Sequence, residues 1–140
     1  MTATTTDSTT TAAATRRIER DLRRLYDAWQ ERDEAKIRTF FSTRDDLKLW
    51  GTELFERIVG RAEADRDFRT WIATCPSWVS IEPTHRAMDV RNGIAWVADD
   101  IEGKWVAGGE SGVDQYRMTT VWEEENGAWR VVHTNLTNPR

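Results

Sequence analysis

The sequence predicts an α+β domain in which N-terminal helices pack on an antiparallel β-sheet. Apolar residues recur with a helical period up to about residue 75, and with a period of two from Ser77 onward. Two Asn-Gly dipeptides separate segments of the second kind, as in tight hairpins. Helices first and strands afterward are typical of the α+β class. The 140 residues are enough for one domain.

The first predicted helix runs from about Thr15 to Arg32. It places one apolar stripe on an otherwise charged segment, formed by Ile18, Leu22, Leu25, Tyr26 and Trp29. Residues 1–14 are rich in Thr and Ala and have little to bury, so we expect a disordered tail there. The folded domain is accordingly predicted to span residues 15–140.

Two further helices are predicted before the strands begin. Asp33 can cap a short helix whose apolar residues are Ile37, Phe40 and Phe41. A third helix follows Gly60 and stops before Pro76, since proline cannot continue a helix. Its inner face carries Ala64, Phe68, Trp71 and Ile72. Between these two helices, Leu47–Trp50 reads as a short strand.

The second half of the chain alternates as strands do. The predicted strands are Trp78–Ile81, Thr84–Val90, Ile94–Ile101, Val113–Glu124 and Trp129–Thr137. Asn92-Gly93 and Asn126-Gly127 are the hairpin turns, because both central residues of that turn type need a positive φ.

The last hairpin predicts which side chains share a face. With a two-residue turn, Trp122 lies opposite Val131 and Thr120 lies opposite His133, and cross-strand partners point to the same side. The more aromatic face, which we assign to the helix side, holds Met118, Thr120, Trp122, Trp129, Val131, His133 and Asn135. Its polar groups either satisfy one another or line a wet cavity. The opposite face suits solvent or a subunit interface, and a longer turn would break this register.

Composition excludes several classes of function. The net charge of −4 and the pI of about 5.3 argue against nucleic-acid binding. No apolar run approaches the roughly 20 residues of a membrane span, and no secretory signal begins the chain, so a cytoplasmic location is expected. One Cys and two His exclude an internal disulfide and argue against a structural zinc site. We expect neither metal nor cofactor.

The chain is rich in tryptophan, with eight Trp against two Tyr and four Phe. An excess of Trp indicates an aromatic-walled cavity or an apolar interface, although each ring can also simply fill the core. The candidates for a wall that stacks on a planar ligand are Trp29, Trp50, Trp71, Trp96 and Trp122.

Four segments resemble SnoaL-like domains of the nuclear transport factor 2-like superfamily. Val90–Val97 resembles their central strand, and Tyr116–Thr119 with Gly127–His133 resembles their closing hairpin. The two others are Ala28-Trp29 with Asp33, and Leu49–Thr52 with Val59–Arg61. The resemblance covers about Ile18 to Thr137. It implies a curved sheet in a cone-shaped fold, a cavity open at one end, and a homodimer formed through the outer sheet face.

The resemblance does not imply one activity, since similar domains include polyketide cyclases, ketosteroid isomerases, epoxide hydrolases, dehydratases and kinase association domains. The three catalytic positions of ketosteroid isomerases fall here near Leu49 or Trp50, near Thr119 or Thr120, and at Leu25, with Tyr26 turned away. None carries the required group. Kinase association domains end in a His-x-His-x-Ser pattern, in which Asn135 replaces the second His. Their pocket Arg is replaced by Thr120.

Two hypotheses about function follow. In the first, the protein binds a small apolar aromatic or polycyclic molecule and acts as a cofactor-independent isomerase, cyclase or dehydratase. His133 would be its general acid/base, because a histidine changes charge near neutral pH. The ligand-binding residues would be Tyr26, Trp29, Trp50, Trp71, Trp96, Met118, Thr120, Trp122 and Asn135. In the second hypothesis, the chain is a non-catalytic homodimeric binding or association module.

Other titratable residues have plainer interpretations. His133 itself can be a hydrogen-bonded core histidine. Asp99 and Asp100 are further acid/base candidates, but their place near a strand end favours surface carboxylates. Cys75 precedes a proline and has no evident histidine partner, so it is not expected to be a nucleophile. His85 follows Pro83 and is expected to be exposed.

Overall fold

The computed structural model describes residues 2–139, with side chains from residue 11 onward. Met1 and Arg140, at the ends of the two predicted ranges, lie outside the described residues. The helices are α1 (Thr2–Glu31), α2 (Glu34–Thr39) and α3 (Arg61–Thr74). The strands are β1 (Lys48–Trp50), β2 (Arg57–Val59), β3 (Ser77–Arg91), β4 (Ile94–Ala107), β5 (Glu110–Glu125) and β6 (Ala128–Thr137).

Helix α1 begins earlier than the apolar pattern predicts. It starts at Thr2, whereas the sequence indicates a start near Thr15. Ala12–Ala14 favour helix, because alanine loses no side-chain entropy there, and Ala14 is buried. The hydroxyl of Thr15 donates to the carbonyl of Thr11, one turn back. The boundary between tail and domain at residue 14 stays a prediction.

The apolar stripe of α1 is confirmed. Ile18, Leu22, Leu25 and Tyr26 are buried, and Trp29 is half-buried at the helix end. The cap of α2 is also as predicted, since a carboxylate oxygen of Asp33 accepts from the backbone N–H of Lys36 at 3.1 Å. Of the described helices, none is both long enough and apolar enough to span a membrane.

The six described strands form one curved sheet in the order β2-β1-β6-β5-β4-β3. All neighbours are antiparallel except β1 and β6, which pair in parallel. Strand β2 is not predicted by the sequence pattern. Strand β3 joins two predicted strands, with irregularities between Trp78 and Ser80 and between Pro83 and His85. Such bulges bend a strand and increase its twist, which curves the sheet toward the helices.

Both Asn-Gly turns have the predicted conformation. Asn92 and Gly93 have φ values of 52° and 76°, and Asn126 and Gly127 have values of 53° and 80°. A third turn of the same kind, at Gly108-Gly109, joins β4 to β5. The strands on either side of it therefore extend several residues past their predicted ends.

The predicted register of the last hairpin is correct only from the turn to the pair formed by Trp122 and Val131. Trp122 pairs with Val131 as predicted, but Val121 then pairs with His133, so Val132 is an extra residue. Beyond this bulge every side chain of β6 changes face, because side chains in a strand alternate. Thr134 and Leu136 face the helices, whereas His133 and Asn135 lie on the outer face. The predicted inward placement of His133 and Asn135 is therefore wrong.

Candidate functional site

An apolar cavity of about 120 Å³ lies between the helices and the inner face of the sheet. Its walls come from α1, α3, the loop after β1, and strands β1, β3, β4, β5 and β6. The aromatic lining residues are Tyr26, Trp29, Trp50, Trp78, Tyr116, Trp71, Phe41 and Phe68. The aliphatic ones are Leu25, Leu49, Ile81, Ile101, Met118 and Leu136. The lining of the cavity is therefore mostly apolar, and aromatic residues are its largest group.

Phe68 on α3 is the centre of the aromatic wall. Its ring centroid lies 5.5 Å from that of Trp29, 5.2 Å from that of Phe41 and 6.1 Å from that of Trp71. These distances are those of stabilising aromatic pairs. Because Phe68 is buried and its ring meets Trp29 of α1 and Phe41 of the segment after α2, it joins α3 to these two parts of the chain around one end of the cavity.

A second aromatic group is formed by Trp78 on β3 and Tyr116 on β5. Trp78 meets Tyr116 edge to face with centroids 5.6 Å apart. The Trp78 ring covers Gly103, where an added Cβ would approach it to 2.6 Å. Gly103 thus leaves the space that lets Trp78 lie flat against the sheet and line the cavity.

A buried polar network joins α1 to the sheet beside the cavity. The phenol of Tyr26 donates to Asp99 Oδ2 at 2.6 Å. Arg86 Nε donates to Asp99 Oδ1 at 2.7 Å, and Arg86 Nη2 donates to Oδ2 at 2.9 Å. Asp99 is only 2% exposed, so the interpretation of Asp99 as a surface carboxylate is wrong. Asp99 thus links α1 to β3 through hydrogen bonds to two residues.

The two tyrosines and the cysteine on the cavity wall favour their neutral forms. Burial, reinforced by the charge of Asp99, raises the pKa of Tyr26 well above its usual value. Burial and the hydrogen bond to Asp114 likewise raise the pKa of Tyr116. Burial raises the pKa of the Cys75 thiol, and the nearby charge of Glu56 adds to this effect. At neutral pH these groups are therefore a phenol, a second phenol and a thiol.

Glu56 is the one residue with a charged side chain among the described residues that line the cavity. It belongs to the short loop between β1 and β2, together with Gly51. Its Oε1 accepts from the backbone N–H of Glu53 at 3.1 Å and from the hydroxyl of Thr52 at 3.4 Å. The same loop presents Leu54 and Phe55 to solvent, at 94% and 77% exposure.

Half of the predicted site residues line this cavity. They are Tyr26, Trp29, Trp50, Trp71 and Met118. Thr120 and Trp122 are buried on the inner face as expected, but the indole N–H of Trp122 donates to the Thr120 hydroxyl at 2.8 Å. That pair belongs to the packed core, so neither side chain lines the cavity.

Trp96, His133 and Asn135 lie on the outer face of the sheet. The side chains next to Trp96, those of Ala95 and Val97, are buried, and Trp96 itself is 37% exposed. His133 Nδ1 lies 2.9 Å from the carbonyl oxygen of Lys48 on the neighbouring strand, at a hydrogen-bonding distance. His133 is thus a strand-pairing residue, and it is not in a position to reach a molecule in the cavity.

Sequence reasoning missed Glu56, Trp78, Tyr116 and the role of Asp99. Glu56 lies in a loop without a motif, so nothing in the sequence indicated its position. Asp99 could have been found, because it alternates with Ala95, Val97 and Ile101 on one face of β4. Among the described residues, no group of three His, Cys, Asp or Glu is arranged to hold a metal ion.

Comparison with known proteins agrees with this architecture. A family model described as the SnoaL-like domain matches residues 18–139. No curated protein sequence matches the chain.

Solved structures provide the same fold at low sequence identity. A nuclear transport factor 2-like superfamily protein from Salmonella enterica is 17% identical, covers 92% of this chain and 93% of its own, and has a TM-score of 0.80. A protein of unknown function from Pseudomonas putida is 18% identical over 91% and 88%, with a TM-score of 0.78. A candidate scytalone dehydratase from Novosphingobium aromaticivorans is 14% identical over 92% and 86%, with a TM-score of 0.77. At such identities the likeness establishes the fold alone.

Proposed function

Since the chain belongs to the SnoaL-like family of nuclear transport factor 2-like proteins, we propose that it binds a compact apolar molecule in its aromatic cavity. The observation that carries this proposal is the cavity itself, which is lined by eight aromatic and six aliphatic side chains. A largely apolar cavity takes up apolar molecules, because water finds few hydrogen-bond partners in it.

The size of the cavity supports a small ligand. Its volume of about 120 Å³ is slightly below that of an engineered protein cavity of roughly 150 Å³ that binds benzene. We therefore propose a ligand of about one aromatic ring rather than an enclosed polycyclic skeleton. Trp71 and Trp29 offer ring faces on which such a ligand can stack.

Binding is better supported than general acid/base turnover by His133, because that ring lies on the other side of the sheet. Asp99 is already paired with Arg86 and Tyr26. Cysteine and tyrosine side chains on the wall favour their neutral forms. The dehydratase name of one structural neighbour describes that protein. An acid/base activity of this chain would have to use a titratable group of the lining, which offers Tyr26, Glu56, Cys75 and Tyr116.

The first test is a titration of intrinsic Trp fluorescence with toluene and benzyl alcohol. We expect saturable quenching, and we expect Trp71→Ala to weaken binding by about tenfold, because one face of the wall is lost. Trp96→Ala, the same change on the outer face, and His133→Ala should both bind as the wild type does. A flat response in the wild type, or equal losses in Trp71→Ala and Trp96→Ala, would contradict the proposal.

As a second part of the proposal, two copies pair through the outer face of the sheet. Ile94 and Trp96 are exposed there on β4, at 44% and 37%. Trp96 pairs across the strands with Val121, which continues the apolar surface. Apolar side chains clustered on an exposed face favour a protein partner, and a second copy with the same face is self-complementary.

We expect the wild type to elute as a dimer with the corresponding mass by light scattering. Trp96→Glu should shift it to the monomer at micromolar concentration, because a charge would be buried at the centre of the contact. Phe55→Glu changes an apolar residue on the β1–β2 loop that is more exposed than Trp96, and it should leave the dimer intact. A wild-type monomer would refute this part of the proposal without affecting ligand binding.

A further inference from the structure

The cavity combines an aromatic wall with a single charged group. Of the described residues that line it, Glu56 is the only Asp, Glu, Lys, Arg or His. Four Trp, two Tyr and two Phe supply the rest of its ring surface. The faces of such rings carry negative charge density and attract cations. The carboxylate of Glu56 and the ring faces therefore both favour a cationic ligand.

Glu56 has one carboxylate oxygen available. Its Oε1 accepts from Glu53 and Thr52 of its own loop, which fixes the carboxylate in place. Among the described contacts, Oε2 accepts no hydrogen bond from any residue. Glu56 is partly exposed and also lines the cavity, so it lies between the cavity and solvent.

Charged groups of both signs lie near this end of the cavity, but of the described residues only Glu56 brings a charge to the lining. Glu56 is close enough to Cys75 for its charge to act on the thiol. Tyr116 lies near Cys75 and donates to Asp114 Oδ2 at 3.0 Å, which brings a second carboxylate behind the wall. Arg32 is a nearby cation that does not line the cavity. It donates to the carbonyl oxygens of Cys75 and Ile72, at the negative end of the α3 dipole.

We propose that the ligand is a primary or alkylated amine on a single aromatic or similarly compact apolar body. The ring occupies the aromatic cavity, and the ammonium lies at its mouth beside Glu56 Oε2 and the neighbouring ring faces. An anion is excluded by the same carboxylate, and a neutral isostere loses the ion pair and the cation–π contact. This inference rests on the proposed function, because it names the ligand class for the same cavity.

Three probes of the same shape test the charge alone: benzylammonium, benzyl alcohol and benzoate. Trp fluorescence at pH 7 should show benzylammonium binding about tenfold more tightly than benzyl alcohol, with benzoate weakest. Glu56→Gln should reduce the preference for benzylammonium over benzyl alcohol to the part that cation–π contacts supply, and it should leave benzyl alcohol binding unchanged. Glu53→Gln, the matched change three residues away on the same loop, should behave as the wild type.

A salt titration of the wild type tests the same point without a variant. Raising ionic strength should weaken benzylammonium binding and leave benzyl alcohol binding unchanged, because salt screens the interaction of exposed charges. If benzyl alcohol binds but benzylammonium is not preferred, or if the preference is as large in Glu56→Gln as in the wild type, the amine inference is wrong and the apolar cavity stands. If none of the three probes binds, the proposed function itself fails, and the inference with it.

Discussion

Replacing Asp99 with alanine is expected to lower the free energy of unfolding by about 3–5 kcal/mol. The change removes the acceptor of Tyr26 and both acceptors of Arg86, whose side chain is mostly buried. A guanidinium left without its partner in such a place loses far more than the pair contributes, because its desolvation is no longer compensated. Urea unfolding followed by Trp fluorescence measures the effect.

The neighbouring Asp100 provides a matched control. Asp100 Oδ1 also lies near an arginine, 3.1 Å from Arg117 Nε, but both side chains are well exposed. Asp100→Ala should therefore cost no more than about 1 kcal/mol. Equal decreases in the free energy of unfolding for the two variants would show that the burial of Asp99 adds nothing to its contribution to stability. Tyr26→Phe should fall between them, at about 1–3 kcal/mol, because it deletes one hydrogen bond to a charged group.

The elements of the fold could be predicted because their signals are local. The apolar stripe of α1, the cap at Asp33 and the two Asn-Gly turns each depend on a few adjacent residues, and each is confirmed. Strand β2 has three residues and no turn signal of its own, so it has no such signature. It is held in place by pairing with β1, which is a tertiary contact.

The site was harder to predict because one extra residue decides its composition. The bulge at Val132 carries Thr134 and Leu136 onto the cavity wall and moves His133 and Asn135 away from it. Nothing in the alternation of β6 marks the bulge, since Val131 and Val132 suit either face. Glu56 lies on the wall for a different reason, because it belongs to the loop that connects the two short strands β1 and β2. The faces of the β6 residues and the position of Glu56 could not be predicted, because the local sequence pattern does not determine the backbone geometry there.

The second large effect is expected from Phe68→Ala, which should lower the free energy of unfolding by about 3–5 kcal/mol. Phe68 is fully buried, and its ring contacts Trp29, Phe41 and Trp71. Truncation removes all three contacts and leaves a void, because rings anchored on different elements can close only part of the gap. Phe55→Ala, on a side chain that is 77% exposed, should change stability very little.

The same variant gives an independent test of the cavity. Phe68 is part of its wall, so truncation enlarges the space at the aromatic end. Binding of a two-ring probe such as naphthalene should therefore improve in Phe68→Ala while the protein becomes less stable, since a dry apolar void accepts a molecule that fills it. Addition of naphthalene should then recover part of the lost stability, because a ligand that binds only the folded state stabilises it. If the variant is destabilised but naphthalene neither binds it nor raises its unfolding midpoint, Phe68 packs in the core without bounding an accessible cavity, and the proposed binding function loses its main support.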